Sequence, residues 1–182
     1  MAAESPRESE RRTAQDAVND FLQLRGKPFP QTIEHTHSGK PFLLQSPDIH
    51  VSISHSNRML ALLCTMDGSL PGVDIERKGR AVRKIRHKYV NEVELAWLRH
   101  HSVQQQEDLL HLIWCAKEAA FKIFSPPDAS LLHFTLAEWR ADVDCKSGSD
   151  WILEYEWQGC MHNLRMYWRI EPTYYLVWAF YK

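Results

Sequence analysis

The sequence lacks a long apolar run, a cysteine framework and a large net charge of either sign. No apolar stretch approaches the roughly 18 residues of a membrane span, and the N-terminal residues are polar, unlike a signal peptide. The four cysteines are scattered and form no C-x-x-C pair: Cys64, Cys115, Cys145 and Cys160. Such scattering is typical of reduced thiols. We therefore expect a cytoplasmic protein with no membrane segment.

The formal net charge of −1 excludes a globally basic nucleic-acid binder, although it leaves room for a local basic patch. With 182 residues, of which 44% are hydrophobic and 11% aromatic, the chain can bury the core of one compact domain or of two small lobes. No short-period repeat is visible.

The hydrophobic patterning predicts two β-rich regions separated by two helices, which is an α+β architecture. Residues 1–8 are polar and predicted to be disordered. The predicted helices are Ser9–Leu24, Arg80–His101 and Glu107–Phe124, the last stopped by Ser125-Pro126-Pro127. After a hairpin region, the predicted strands are His50–Ser54, Met59–Cys64, Pro71–Glu76, Leu132–Trp139, Trp151–Trp157 and Leu164–Tyr181, the last broken at Pro172.

One predicted strand carries two carboxylates. Because side chains alternate between the two faces of a strand, Asp74 and Glu76 point to one face, and Val73 and Ile75 point to the other. The Cα atoms of the two acids would lie roughly 6.5–7 Å apart, so both side chains can reach one ion.

The second central helix is apolar over most of its circumference, and a narrow remaining stripe holds His111, Glu118 and Lys122. We expect so apolar a helix to be largely buried. A buried carboxylate must be paired or bind a metal, since leaving it alone costs roughly several kcal/mol. Together with Asp74 and Glu76, Glu118 would offer three oxygen donors to one hard divalent cation, Mg²⁺ or Mn²⁺. Such a site facing a lysine suits phosphate-ester chemistry.

Each motif alone also has an ordinary structural explanation. An Asp-x-Glu strand is more often a solvated face, and Glu118 with Lys122 at i,i+4 is often a surface pair worth about 0.2–0.5 kcal/mol. Lys117 falls in the apolar arc, so we expect its stem to pack, its amine to reach a polar rim and its role to be structural. The combination of the two motifs, rather than either one, indicates a site.

A run of basic residues without an acid precedes and enters the first central helix: Arg77, Lys78, Arg80, Arg83, Lys84, Arg86 and Lys88. Five of them form what we call the basic surface: Arg80, Arg83, Lys84, Arg86 and Lys88. It is either a solvated face or a docking site for an acidic partner. Nucleic acid is the weaker alternative, because no aromatic stacking residues are interleaved there.

These ordered motifs resemble those of the 4′-phosphopantetheinyl transferases of the surfactin-synthetase-activating type, over most of the chain. The signature pair is Gly72-Val73-Asp74-Ile75-Glu76 and Trp114-x-x-Lys117-Glu118-Ala119-x-x-Lys122. The other matching segments are Gly39-Lys40-Pro41, the serine–histidine motif Ser52-Ile53-Ser54-His55-Ser56, the helix positions Tyr89, Glu94 and Leu98, and the final strand Tyr174-Tyr175-Leu176-Val177-Trp178.

The resemblance implies an enzyme that moves 4′-phosphopantetheine from coenzyme A to a serine of an apo acyl or peptidyl carrier protein and releases adenosine 3′,5′-bisphosphate. It implies two pseudo-symmetric α/β lobes with coenzyme A in the cleft between them. The N-terminal lobe would cover residues 9–79 and be shortened, and the C-terminal lobe would cover residues 80–182. A monomer is expected, with no nucleic acid bound.

The resemblance also implies a role for each site residue. Asp74, Glu76 and Glu118 would hold Mg²⁺ on the pyrophosphate, where the ion neutralises charge. Glu118, or a water that it positions, would accept the proton of the carrier serine, and Lys122 would contact a coenzyme A phosphate. The residues implied at the nucleotide end of coenzyme A are Arg12, Thr13, Lys40, Ser54 and His55, the last three chiefly at its 3′-phosphate. The basic surface would dock the acidic carrier.

Alternatives remain at this stage. Without the resemblance, Lys40 is an exposed turn residue, Ser54 ends a strand and His55 is a surface histidine. Only about ten residues precede Arg12, fewer than in longer relatives. A truncated relative that binds coenzyme A or a carrier without catalysis is therefore the competing hypothesis, and a metal-dependent phosphodiesterase is a third. The intact acidic triad favours the transferase.

Overall fold

The computed structural model describes residues 5–125, 130–138, 146–157 and 159–182. In these ranges the helices are α1 (Pro6–Leu24), α2 (Glu92–Leu98) and α3 (Val103–Phe124), with 3-10 helices over Val82–Lys88 and Leu131–His133. The strands are β1 (Ile33–His35), β2 (Pro41–Leu43), β3 (His50–Ser56), β4 (Met59–Thr65), β5 (Leu70–Arg77), β6 (Phe134–Glu138), β7 (Ser147–Trp157), β8 (Cys160–Ile170) and β9 (Tyr174–Tyr181). This mixture of helices and sheets confirms the predicted α+β class.

The first sheet has the strand order β1-β2-β3-β4, and all of its pairings are antiparallel. Helix α1 packs against it through a small core that includes Val18, Leu22 and Val51. The helix begins at Pro6, three residues before the predicted Ser9, because Ser5 and Glu8 form a capping box. The predicted disorder of residues 1–8 is therefore wrong for the first turn of α1, and residues 1–4 lie outside the described ranges.

The second sheet has the order β5-β9-β8-β7-β6, again antiparallel throughout. Helix α3 lies across β5, β9 and β8, and the larger core forms between the helix and this sheet. Strand β5 pairs with β9 along its whole length, from Leu70 to Arg77. It thus belongs to the second sheet, although the predicted N-terminal lobe, residues 9–79, included it.

The predicted helix Arg80–His101 is wrong, because the chain forms a 3-10 helix and then α2. The side chain of Asn91 accepts the backbone N–H of Glu94, whose carboxylate accepts the N–H of Asn91, and this capping box starts a new helix. In this arrangement Val93, in the first turn of α2, is 65% exposed. A second capping box at Ser102 starts α3 four residues before the predicted start at Glu107.

The predicted break of the strand Leu164–Tyr181 at Pro172 is confirmed, because β8 ends at Ile170 and β9 begins at Tyr174. Pro126, Pro127, Trp139 and Cys145, which also entered the sequence predictions, lie outside the described ranges. The other three cysteines are free thiols. Among the described helices, none is long and apolar enough to cross a membrane.

Candidate active site

A glycine brings α3 into close contact with β5. A Cβ atom at Gly72 would stand 2.2 Å from the carbonyl oxygen of Ala119 and 2.7 Å from Cγ1 of Ile123. Real Cβ atoms essentially never approach other atoms within 3.0 Å, so only glycine fits here. This contact places the turn of α3 that holds Glu118 and Lys122 beside the acidic strand.

The first carboxylate of β5 is that of Asp74, which is 6% exposed. Its Oδ1 atom accepts hydrogen bonds from Nζ of Lys122, at 2.8 Å, and from Oγ of Ser54, at 2.7 Å. The same amine donates to the carbonyl oxygen of Val73, at 2.9 Å. Lys122 is therefore bound to both the backbone and a carboxylate of β5, which fixes its position across the contact between helix and strand.

The second carboxylate, that of Glu76, is 3% exposed and is held from three directions. A guanidinium nitrogen of Arg80 donates to Oε2, while Oε1 accepts from the hydroxyl of Ser56 and from the backbone N–H of Arg77. The Arg80 guanidinium also lies 5.0 Å from the ring centroid of Trp114. The structure therefore places Arg80, which the sequence assigned to the basic surface, against a site carboxylate.

Glu118 is half-buried on α3, and burial raises the pKa of its carboxyl group. The negative charges of Asp74 and Glu76 raise this pKa further, while Lys122 and Arg80 lower it. The three predicted carboxylates and these two cations therefore share one electrostatic neighbourhood. A carboxylate with a raised pKa is a better proton acceptor than an ordinary surface glutamate.

The three acids are a chemically suitable donor set for a hard divalent cation, because all of their donors are carboxylate oxygens. In the present arrangement Asp74 is paired with Lys122, and Glu76 is paired with Arg80. Within the described part of the chain, no three His, Cys, Asp or Glu side chains stand in an arrangement that could hold a metal ion.

The residues predicted at the nucleotide end of coenzyme A divide into two groups. A cavity of about 840 Å³ between α1 and the first sheet is lined by Arg12 and His55, and a neighbouring cavity of about 430 Å³ is lined by Thr13 and His55. The structure therefore brings these three residues together. His55 is exposed, and its ring lies 3.4 Å from a carboxylate oxygen of Glu10.

Lys40 and Ser54, the other two of these residues, have different surroundings. The amine of Lys40 donates to the carbonyl oxygen of Ile123 near the end of α3, at 3.1 Å, and burial lowers the pKa of Lys40. Ser54 is 6% exposed and faces Asp74 on β5. In this structure both side chains thus contact the region where α3 meets β5 rather than the larger cavity.

The sequence predicted that the amine of Lys117 reaches a polar rim. This prediction is wrong, because Lys117 is fully buried. Its amine lies 2.7 Å from Oε2 of Glu94 and donates to the carbonyl oxygen of Tyr89 at 2.6 Å. Burial lowers the pKa of Lys117, and the charge of Glu94 opposes that shift. Glu94 also accepts the N–H of Leu136 on β6. The pair thus connects α3, α2 and the second sheet next to Glu118, and its role is structural.

His111 was predicted on the polar stripe of α3, but it is 1% exposed. Its ring stacks on Tyr175 at a centroid distance of 4.5 Å, and its nitrogens lie within hydrogen-bonding distance of the carbonyl oxygens of Glu107 and Arg80. A ring N–H can donate to one of these two carbonyl oxygens, so the buried ring has a hydrogen-bond partner inside the core.

The rest of the basic surface lies on the 3-10 helix. Lys84, Arg86 and Lys88 are exposed, whereas Arg83 is half-buried and its Nε donates to Glu107 at 3.2 Å.

Two groups at the site were not predicted from the sequence: the hydroxyl of Ser56, and the contact of Arg80 with Glu76. Serines at alternate positions of a strand next to Asp-x-Glu were the available signal for Ser56.

Comparison with known proteins gives consistent results. A family model described as the 4′-phosphopantetheinyl transferase superfamily matches residues 71–163. Over 84 residues, the chain is 32% identical to a 4′-phosphopantetheinyl transferase of Bacillus subtilis, 31% to the 4′-phosphopantetheinyl transferase Sfp of Bacillus subtilis strain 168, and 33% to the 4′-phosphopantetheinyl transferase gsp of Aneurinibacillus migulanus. Each alignment covers 46% of this chain and 37%, 37% and 34% of the relative, so the chain spans about a third of the length of these relatives.

Proposed function

The chain belongs to the 4′-phosphopantetheinyl transferase superfamily, and on this premise we propose that it transfers 4′-phosphopantetheine from coenzyme A to a serine of an apo carrier protein. The products are the holo carrier and adenosine 3′,5′-bisphosphate. The observation that supports this proposal most strongly is the convergence of Asp74, Glu76 and Glu118 with Lys122 and Arg80 where α3 meets β5.

In the proposed reaction, the serine oxygen bonds to the phosphorus that carries the pantetheine arm, and the bond from that phosphorus to the leaving adenosine bisphosphate breaks. The serine loses its proton, and Glu118, directly or through a water, accepts it. The cations of Lys122 and Arg80 are suited to offset the charge that develops on the phosphate oxygens.

We assign the divalent cation of the reaction, Mg²⁺ or Mn²⁺, to Asp74, Glu76 and Glu118, because three carboxylates match the preference of these ions for oxygen donors. To bind it, the three side chains must draw closer than in the present arrangement, in which Asp74 is paired with Lys122 and Glu76 with Arg80. When bound, the ion would neutralise charge on the pyrophosphate of coenzyme A. The cations of Lys122 and Arg80 already neutralise part of the charge of this site.

Coenzyme A would lie with its nucleotide end in the cavity between α1 and the first sheet. Arg12 and His55 on the wall of that cavity support this orientation, since both can donate hydrogen bonds to phosphate. The two lobes would then correspond to the two sheets, with the pantetheine arm running toward the contact between α3 and β5. Lys40, whose amine faces the end of α3, would lie along this path.

The basic surface is the proposed docking site for an acidic carrier protein. The exposure of Lys84, Arg86 and Lys88 on the 3-10 helix supports this assignment, because exposed charges steer association with a partner of opposite charge. The surface begins at Arg80, four residues after Glu76 and in contact with its carboxylate, so a carrier docked there would present its serine near the proposed site. We propose that the chain acts as a monomer.

The experiment that tests this function measures both products. The protein is incubated with coenzyme A, Mg²⁺ and an apo acyl carrier protein, and adenosine 3′,5′-bisphosphate is quantified by chromatography beside the modified carrier. Equal amounts of the two products support transfer. Binding of coenzyme A without turnover would instead support the non-catalytic relative, and release of phosphopantetheine from a holo carrier would support the phosphodiesterase.

A further inference from the structure

Three serines at alternate positions of β3 join the two sheets through their side chains. The hydroxyl oxygens of Ser52, Ser54 and Ser56 accept the backbone N–H groups of Val73, Ile75 and Arg77, at 3.1, 3.3 and 3.1 Å. We call this set of contacts the serine ladder. The ladder pairs the edge of β5 that faces away from β9, where backbone donors would otherwise lack strand partners.

Two of these serines also donate to the site carboxylates. The Ser54 hydroxyl donates to Oδ1 of Asp74, and the Ser56 hydroxyl donates to Oε1 of Glu76. A serine hydroxyl has one proton and two acceptor lone pairs. Once its oxygen accepts an N–H from β5, its proton can satisfy one further acceptor, and here that acceptor is the carboxylate of the preceding β5 residue. All four side chains are at least nine-tenths buried.

We propose that Ser54 and Ser56 are positioning residues: each hydroxyl fixes one oxygen of its carboxylate, Oδ1 of Asp74 or Oε1 of Glu76, and so sets the direction from which that side chain can reach the cation. This inference rests on the proposed function, because it concerns the same site. It also changes the role of Ser54, which the family resemblance assigned to the 3′-phosphate of coenzyme A. The single proton of Ser54 is donated to Asp74, so in this arrangement it is not available to a phosphate oxygen.

The serine–histidine motif thereby divides between two faces of β3. The serines face β5 and its carboxylates, while the exposed His55 between them lines the cavities beside α1. Alternation along one strand therefore connects the proposed cation site to the proposed coenzyme site. The serines of β3 would contact the cation site from one face of the strand, and His55 would contact coenzyme A from the other.

The serine ladder contains its own control. Ser52 makes the same backbone contact as the other two serines, but the β5 residue preceding its partner Val73 is Gly72, which has no side chain. Replacing Ser52 with alanine therefore removes one contact between the sheets without removing a hydrogen bond to a site carboxylate.

The test compares the full-length wild type with the variants Ser52→Ala, Ser54→Ala and Ser56→Ala. Free Mn²⁺ is measured by electron paramagnetic resonance during titration, with and without coenzyme A, and thermal unfolding is recorded for each protein. We expect Ser54→Ala and Ser56→Ala to bind Mn²⁺ about 10- to 100-fold more weakly, as is usual when a residue orienting a metal ligand is lost. Ser52→Ala should retain wild-type affinity, although all three lose a comparable backbone contact.

Isosteric variants cover the case in which an alanine variant does not fold. Threonine and valine differ by a hydroxyl and a methyl group, so Ser56→Thr should keep the Mn²⁺ affinity and Ser56→Val should lose it. The KM for coenzyme A gives a second readout. Measured at an Mg²⁺ concentration that saturates each variant, it should keep its wild-type value in Ser54→Ala.

Equal Mn²⁺ affinity in the three alanine variants would overturn the inference. A raised KM for coenzyme A in Ser54→Ala with unchanged Mn²⁺ affinity would overturn it for Ser54 and restore the phosphate role. A wild type that takes up no Mn²⁺ in either condition would overturn the proposed cation site, and the inference with it. The product assay for transfer is separate, so its failure is distinguishable from these results.

Discussion

The replacement Gly72→Ala tests whether the close contact of α3 with β5 assembles the site. The added Cβ would meet the carbonyl oxygen of Ala119 at 2.2 Å, whereas ordinary contacts begin at 3.4 Å. The helix and the strand must therefore separate by about 1.2 Å at this point, the difference between these distances. The carbonyl belongs to the helix backbone, so no side-chain rotation can relieve the contact.

This separation should affect both stability and rate. Overpacking of a core costs about 1–3 kcal/mol, and we expect the upper end because a backbone atom is involved. In a chain of this size that loss lowers the Tm by about 6–12 °C. A misplacement of about 1 Å in an active site can reduce the rate about 100-fold, so kcat for transfer should fall by that order.

The assay combines thermal denaturation with steady-state kinetics of carrier modification. Gly68→Ala is a matched control, because Gly68 has a φ of 81° and an added Cβ meets no atom within 4 Å. It should cost about 1–2 kcal/mol from backbone strain while leaving kcat unchanged. Adding Ile123→Ala to Gly72→Ala should not rescue the defect. Wild-type Tm and kcat in Gly72→Ala would refute the reasoning.

Three further variants test separate parts of the account. Glu118→Gln should lower kcat about 10²- to 10⁴-fold, as expected for loss of a proton acceptor, with little change in Tm. Lys117→Met leaves the buried carboxylate of Glu94 without its cation, so urea denaturation should show a loss of about 3–5 kcal/mol in unfolding free energy. The double replacement Lys84→Glu and Lys88→Glu should raise the KM for an acidic carrier but not for coenzyme A, and this effect should weaken as ionic strength rises.

Each of these three predictions has an outcome that would contradict it. Full activity in Glu118→Gln would contradict the proposed role of Glu118 as the proton acceptor. The double variant Lys117→Met with Glu94→Leu should recover much of the lost stability, since no unpaired charge remains, and failure to recover would contradict the pairing argument. Arg25→Glu, a reversal at an exposed residue that follows α1, should leave both KM values unchanged. An equal rise of the KM for the carrier in Arg25→Glu would indicate that the net charge of the protein, rather than a docking surface, controls carrier binding.

Local sequence patterns were sufficient where neighbouring residues decide the structure. Strands β3, β4 and β5 follow from alternation and turn residues, and their predicted ends lie within two residues of the observed ones. The same alternation correctly placed Asp74 and Glu76 on one face, where both meet serines of β3. The break before α2 also had a local signal, which the predicted helix Arg80–His101 overlooked. Asn91 and Glu94 have the spacing of a capping box, and such a box marks the start of a helix.

The remaining features depend on partners that are distant in sequence. His111 was expected on a polar stripe, but Tyr175 stacks on its ring inside the core. Lys117 was expected at a polar rim, but its amine binds Glu94, which lies 23 residues earlier on another helix. The amine of Lys40 reaches a carbonyl 83 residues later. Helical periodicity reports which face of an element is apolar, but it does not report which distant group will satisfy a polar atom on that face.

The most direct test of the central claim is the intact mass of an apo acyl carrier protein after incubation with this protein, coenzyme A and Mg²⁺. We predict a gain of one phosphopantetheine group, which is abolished by EDTA and, separately, by Glu118→Ala. An unchanged carrier mass with the wild type, for several acidic carriers, would contradict the proposed transfer. A gain that persists in both controls would contradict the roles assigned to the cation and to Glu118.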